Sequence, residues 1–469
     1  MNREEVTSEV LRRITPKPEE KKKVLTLADS LKERVVQEAE KLDLKVDVVI
    51  GGSVAKDTWL SGDVDLDIFV LFPTKYGKKE LERKGLQVAI NSVEGSKWKK
   101  RYAEHPYLEA VIQGVRVNIV PCYKVERGKW ISAADRSPHH TKYVKQRLKS
   151  DDLRGDIRLL KRFMKGIKAY GAEIKIGGFS GYLCEVLVLA HGSFFNVLLT
   201  AADWQRGHVV DSHGYYSRLG EAESLFDSPL IVIDPIDQNR NAAASVTEEK
   251  LGTFVAASRM FIQEPEEKFF FPKVKEPYKT CELEDVFENR GTDIVFLCCD
   301  QVEVVPDVLW GQLYKSMRSI HRLLRQYDFQ VVRTAAWSDE EKLNIILIEL
   351  EENEMPQSKL HLGPKTSSRD SEKFLEKHLD AKDTISGPWI EGGRWVVTKR
   401  RQHLKAVSLL KEKLKTGGRD VGVGSKLVES VKDSLRIILN EEISTIYSSN
   451  GNLAMFLTEY LYGKPSWLV

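Results

Sequence analysis

Chemistry is concentrated between residues 51 and 67. Gly51, Gly52 and Ser53 precede Lys56, and further on Asp63, Asp65 and Asp67 alternate with Val64, Leu66 and Ile68. On a strand, period-two geometry places the three carboxylates on one face and the aliphatics on the other. Three neighbouring anions repel one another and call for counter-charge, which magnesium supplies where carboxylates meet phosphate oxygens. The Gly-Gly-Ser turn lets backbone N–H groups and a hydroxyl approach a triphosphate. A helix starting there would put its positive end, and Lys56, beside the phosphates. A lone D-x-D run equally describes an acidic edge strand that resists aggregation. The glycine turn upstream of an otherwise apolar strand tips the balance toward metal-dependent nucleotidyl transfer.

The elements that must hold these residues are short. β-rich runs at residues 45–50, 65–72, 110–112 and 115–120 predict a small sheet, and Gly-Gly, Ser-Gly and Gln-Gly pairs separate some of them. Ahead of it, Val24, Leu27, Leu31, Val35 and Ala39 recur at helical spacing under a charged face. From residue 142 the pattern turns helical, with ten Lys or Arg against three Asp over residues 142–168. That segment reads either as a phosphate-tracking surface or as a solvated helix face. The most apolar stretch, residues 181–200, contains Glu185, His191 and Asn196, so a buried helix is expected rather than a membrane span. From about residue 264, strands are expected at 293–298, 329–338, 343–350 and 393–397, with a helix at 308–326. This is an α+β pattern built on antiparallel sheet.

Composition sets outer bounds. The 469 residues suffice for about three domains. With 42% hydrophobic and 30% charged residues, the chain reads as soluble and globular. The balance of 72 Lys plus Arg against 69 Asp plus Glu, a net +3, neither demands nor excludes nucleic acid. Cys122, Cys184, Cys281, Cys298 and Cys299 are odd in number and show no C-x-x-C spacing, which fits buried thiols in a reducing cytosol. Residues 1–42 are charged and amphipathic, unlike a secretory signal. A second basic stretch, residues 399–419, runs into a glycine-rich segment at 417–424 that reads as flexible and suited to close backbone approach.

Gly52-Ser53 followed by Asp65-x-Asp67 resembles the active site of the DNA polymerase beta superfamily. The closer resemblance is to the archaeal-type (class I) CCA-adding enzymes, tRNA nucleotidyltransferases. It extends to Trp59, to Leu71-Phe72-Pro73, to residues 101–107 (RYAEHPY) and to Val120-Pro121-Cys122-Tyr123. It continues through Asp135-Arg136-Ser137-Pro138, residues 170–173 (YGAE), residues 178–185 (GFSGYLCE), Asp234-Pro235 and Arg240-Asn241. The likeness is strong over the first 260 residues or so and looser beyond.

The resemblance implies a nucleotidyltransferase head at residues 1–146, a helical neck at 147–262, and a C-terminal α+β body and tail at 263–469 that bind tRNA along its acceptor stem and T arm. It implies addition of C, C and A from CTP and ATP without a template, in the cytoplasm, by an enzyme that is a dimer and holds two magnesium ions. Asp65 and Asp67 fill two of the three metal-binding places. The third, where the family pattern has Asp, is Asn118, an amide that brings no charge and cannot accept a proton. Loss of a general base costs about 10²–10⁴ in rate. Three readings are open: chemistry slowed with nucleotide binding intact, partial compensation by Asp63, or a substitution made to trap a complex. Ser53 and Lys56 match the triphosphate-contacting pair; His140, Lys161 and Tyr170 match further nucleotide-binding positions, and Arg240 the residue that reads the incoming base. Other functions sharing the carboxylate strand are a poly(A) polymerase, an oligoadenylate synthetase and a non-catalytic nucleotide or RNA binder.

Overall fold

The computed structural model describes residues 2–102 and 106–469, so Ala103, Glu104 and His105 of the RYAEHPY motif lie outside the described residues. The chain divides into two compact units, Met1–Val274 with Lys464–Val469, and Lys275–Gly463.

In the first unit, the helices α1 (Arg3–Ile14) and α2 (Pro18–Lys41) precede a five-stranded sheet. Its strands are β1 (Asp47–Gly51), β2 (Asp65–Phe72), β3 (Trp98–Tyr102), β4 (Pro106–Ile112) and β5 (Val115–Tyr123), in the order β1-β2-β5-β4-β3. The pair β2–β5 is parallel and every other pair antiparallel. The five-residue helix α3 (Gly52–Lys56) turns the chain between β1 and β2. The apolar stripe of α2 (Val24, Leu27, Leu31, Val35) packs with Leu66, Ile68 and Val70 of β2 and with residues of α4 (Lys78–Ser92) on one side of the sheet. That leaves the other side for chemistry.

A helical body follows: α5 (Arg136–Arg147), α6 (Asp151–Gly166), α7 (Gly181–His191), α8 (Phe194–Ala201), α9 (Leu219–Phe226) and α10 (Glu248–Gln263). A small sheet of β6 (His208–Val210), β7 (Leu230–Asp234) and β8 (Asp237–Asn241) lies among them. Phe163 and Phe254 sit at the centre of this second core. The apolar stretch at residues 181–200 is two helices rather than one. Gly192 takes φ +86 as the cap of α7 and Ser193 caps α8, and the two helices meet at 91°. Among the described residues, no single helix is long and apolar enough to cross a membrane.

The second unit opens with α11 (Leu283–Glu288), β9 (Asp293–Asp300) and α12 (Pro306–Gln326). It continues with β10 (Val331–Ser338), β11 (Leu343–Leu350), β12 (Ser358–Lys365), α13 (Ser371–His378), β13 (Thr384–Glu391) and β14 (Arg394–Arg400). It closes with α14 (Ala406–Leu414), α15 (Val428–Ser434), β15 (Arg436–Leu439), α16 (Ser444–Ser449) and α17 (Gly451–Tyr462). Its larger sheet, β10-β11-β9-β15, is antiparallel throughout. Every residue of β11 is buried, because Ile346, Ile348 and Leu350 pack into one core and Leu343, Ile345 and Leu347 into the other. Helices on both faces account for that continuous apolar run. The glycine-rich segment at 417–424 packs its glycines against neighbouring side chains and backbone. Gly417 and Gly418 are buried at positive φ, and a Cβ on Gly418 would strike Leu414 and Val423.

Candidate active site

The sheet register assembles the site. Gly51 pairs with Asp67 across β1–β2, Asp67 with Asn118 across β2–β5, and Glu109 with Asn118 across β4–β5. Asp65 and Asp67 flank the fully buried Leu66, so their carboxylates share the face opposite the α2 and α4 packing. Asp63 does not join them. It lies in the turn before β2, bridged to Leu60, and its carboxylate pairs with Lys165. The strand expected to present three acids presents two.

Gly52 holds φ +62, and a Cβ there would fall on the Asp67 carboxylate. Only glycine brings the turn this close to the acid. Asn118 Nδ2 donates to Asp67 Oδ1 at 3.0 Å, and Arg116 approaches Asp65 at 3.3 Å. Burial, together with the Asp65 charge, pushes the Asp67 carboxyl up to about 6 despite the Asn118 bond. Asp65 is also raised, by burial first, with Arg116 pulling the other way. Two neighbouring acids that resist ionisation fit a cation-binding role, since a divalent ion would relieve both costs. Among the described residues, no group of three His, Cys, Asp or Glu side chains is arranged to hold a metal ion. The groups that could face a cation here are two carboxylates and one amide.

One cleft is lined by Gly52, Ser53, Lys56, Asp65, Asp67, His140, Lys161, Tyr170 and Glu185, together with residues of α5 and the start of α7. It therefore gathers seven of the nine candidate residues, leaving Asn118 and Arg240. Asn118 joins through Asp67. Arg240 joins through Asp234, a fully buried carboxylate at the end of β7. Asp234 accepts from His140 Nε2 at 2.8 Å, from the Arg240 guanidinium at 2.7 Å, from the Tyr182 hydroxyl at 2.9 Å and from the Ile236 N–H at 3.0 Å. Burial works against its charge, but the hydrogen bond to His140 and the Arg240 charge hold it down at about 2. Tyr182 also stacks on His140 with ring centroids 3.8 Å apart. Burial lowers the His140 pKa more than Asp234 raises it. Tyr170 fits because residue 181 is glycine: a Cβ there would lie 2.8 Å from the Tyr170 hydroxyl.

Several cations of the basic segment turn inward. Arg158 is 4% exposed and donates to the Trp59 and Asp57 carbonyls and the Asp57 carboxylate. Lys161 is 3% exposed and reaches Glu185 and Thr58. The exposed positions are Lys142, Lys145, Arg147, Lys149 and Lys168, so a phosphate-tracking surface would lie mainly over the second half of α5 and the loop into α6.

Sequence reasoning assigned no role to Glu185, Asp234 or Glu109. A signal existed for the first: one carboxylate in an otherwise apolar helix must find a cation. Asp234 carries the same signal at the end of the buried run Leu-Ile-Val-Ile-Asp.

Known proteins with this pattern share it over nearly the whole chain. Residues 31–150 match the family described as a nucleotidyltransferase domain, 155–271 the second domain of tRNA nucleotidyltransferase, and 290–440 the C-terminal domain of CCA-adding enzyme. A CCA-adding enzyme of Methanothermobacter thermautotrophicus is 37% identical over 87% of this chain and 87% of its own. One from Pyrobaculum neutrophilum is 38% identical over 88% of this chain and 94% of its own. The chain belongs to the CCA-adding enzymes. The CCA-adding enzyme of Methanopyrus kandleri, 33% identical, aligns over 99% of this chain and 98% of its own. Among solved structures, a cytoplasmic RNA terminal U-transferase aligns with 57% of this chain and 98% of its own, at 16% identity and a TM-score of 0.45. As a CCA-adding enzyme, the chain is a nucleotidyltransferase with an N-terminal nucleotidyltransferase domain, a helical second domain and a C-terminal α+β region.

Proposed function

We propose that the cleft adds C, C and A to the 3′ end of tRNA, taking CTP and ATP as substrates and releasing pyrophosphate. The observation that carries this reading is the juxtaposition of the Asp65–Asp67 pair with the Gly51–Gly52 turn and Lys56 in one cleft. Two magnesium ions bound to Asp65, Asp67 and the Asn118 carbonyl would supply charge neutralisation and a more acidic attacking hydroxyl. The protein's own residues do the rest. Ser53, Lys56 and the α3 turn seat the triphosphate, and Gly52 lets it approach the acids. Lys161 and Tyr170 close the far wall. His140 and Arg240, fixed by Asp234, face the base. No protein nucleophile is needed, because positioning and charge stabilisation carry phosphoryl-type transfer.

We read residues 1–146 as the head, 147–262 as the neck, and 263–469 as the body and tail that grip the acceptor stem and T arm. The enzyme works in the cytoplasm as a dimer. Incubation with labelled CTP and ATP and a tRNA trimmed of its 3′ end tests the reading. Incorporation that stops after CCA supports it; untemplated homopolymer growth selects a poly(A) polymerase or oligoadenylate synthetase activity instead.

Asn118 favours one second reading, a nucleotide and tRNA binder with weak or absent chemistry. Its amide brings no charge and spends its N–H on Asp67. Asn118→Asp is expected to raise the incorporation rate by about 10²-fold or more. An unchanged rate would remove Asn118 as the limiting residue. Absence of pyrophosphate release from both proteins, with either magnesium or manganese, would select the binder.

A further inference from the structure

The cationic side of the cleft contains an anion that nucleotide transfer itself does not use. Glu185 sits on α7 among Leu183, Cys184, Val186, Leu187 and Val188, and is 1% exposed. Its Oε1 accepts from Lys161 Nζ at 2.9 Å and from the Thr58 hydroxyl at 2.7 Å; its Oε2 accepts from Lys56 Nζ at 2.5 Å. The two lysines differ in what they have left. An ammonium carries three donors. Lys161 has three oxygens in reach, Glu185 Oε1, the Thr58 carbonyl at 3.2 Å and the Thr58 hydroxyl at 3.1 Å. Among the described residues Lys56 reaches only Glu185, so two of its donors remain for a ligand in the cleft it lines.

We propose that Glu185 is a resident competitor for the triphosphate, holding the Lys56 ammonium in the empty cleft, yielding it to the incoming phosphates and reclaiming it as pyrophosphate leaves. This rests on the nucleotide reading of the cleft. The arrangement suits an exchange. When Lys56 swings to a phosphate, Glu185 still has Lys161 and Thr58, so no buried charge is left bare. Two buried ammoniums with no resident anion would grip a polyanion tightly, before and after bond breaking alike. A carboxylate already in place weakens triphosphate and pyrophosphate binding together. That eases product release, which must recur at each of the three additions.

Glu185→Gln keeps the side-chain shape and an acceptor for Lys161 and Thr58, but turns an amide N–H toward Lys56 and frees that ammonium. Calorimetry with ATP and with inorganic pyrophosphate, alongside steady-state rates, reads the effect. The expected result is affinity higher on the order of tenfold for both ligands, a lower KM for ATP, stronger pyrophosphate inhibition and a reduced kcat. A residue that merely orients the lysines would give the opposite sign, with KM and the pyrophosphate inhibition constant both raised, and that result overturns the proposal. Should Glu185→Gln fold poorly because Lys161 has lost its partner, Lys161→Met/Glu185→Gln compared with Lys161→Met asks the same question with Lys56 alone left without its carboxylate. Tighter pyrophosphate binding by the double variant is expected; equal or weaker binding overturns the idea. Failure of the unmodified enzyme to bind ATP or pyrophosphate at all would instead sink the nucleotide reading, and the proposal with it.

Discussion

Asp67 shows what a metal-ready acid costs an empty protein. Its carboxyl is raised to about 6 by burial and by its neighbour Asp65. A raised acid pKa means that the folded state holds the proton where the unfolded chain has released it. Stability therefore falls as pH rises from about 4 to about 6, and the deficit persists above that window. A rise of this size corresponds to about 3 kcal/mol at neutral pH. Asp67→Asn is thus expected to stabilise the metal-free protein at pH 7 by up to about 3 kcal/mol, to flatten its acid-side pH dependence, and to abolish nucleotide addition. Urea unfolding in a chelator at about pH 4.5 and about pH 7 checks this; equal stability of the two proteins at neutral pH would contradict it. At this scale Asp65, Asp67 and the glycine turn were legible, because spacing alone dictates their shared face. The roles of Glu185 and Asp234 in organising the cleft were not, since each is separated by many tens of residues from some of the groups it binds.

At the scale of elements, the turn joining β1 to β2 sets the geometry. Gly52 combines a left-handed backbone with a neighbour, the Asp67 carboxylate, that tolerates no side chain. Gly52→Ala is expected to cost about 1–2 kcal/mol in backbone strain. It should cost far more in rate, about 10²-fold or beyond, by displacing the acid. Thermal unfolding and single-turnover incorporation separate the two effects; normal turnover would show that the close approach is dispensable. The strand over residues 65–72 was legible to the residue, because apolar alternation and a following proline delimit it. The placement of Asp63 was not, since the Leu60–Asp63 bridge and the positive φ of Gly62 end the turn just before the strand begins. Helix α6 misled in a different way. Charge counting treats every Lys and Arg as solvent-facing, whereas Arg158 and Lys161 are drawn inward by Asp57 and Glu185. The edge strand β3, rich in Lys and Arg, shows none of the apolar alternation that marks a strand in sequence.

For the molecule as a whole, an excess of only three positive charges leaves RNA binding to local surfaces. In the second unit Lys399, Arg401 and Lys405 are paired with Asp383, Asp328 and Glu354, so the basic run at 399–419 offers fewer free charges than its sequence suggests. Binding of trimmed tRNA should still weaken steeply with salt, on the order of 10³-fold between about 50 and 200 mM for a footprint of six phosphates. Replacing Lys142, Lys145 and Lys149 together by Gln should shallow that slope, and an unaltered slope would move the phosphate contacts elsewhere. The central claim, that Asp65 and Asp67 share divalent cations with a triphosphate beside the glycine turn, is tested most directly by manganese binding in the presence of ATP, followed by electron paramagnetic resonance. The unmodified protein should take up manganese with the nucleotide, and Asp65→Asn/Asp67→Asn should take up none above background. Equal uptake by the two proteins would place the ions, and the chemistry, somewhere else.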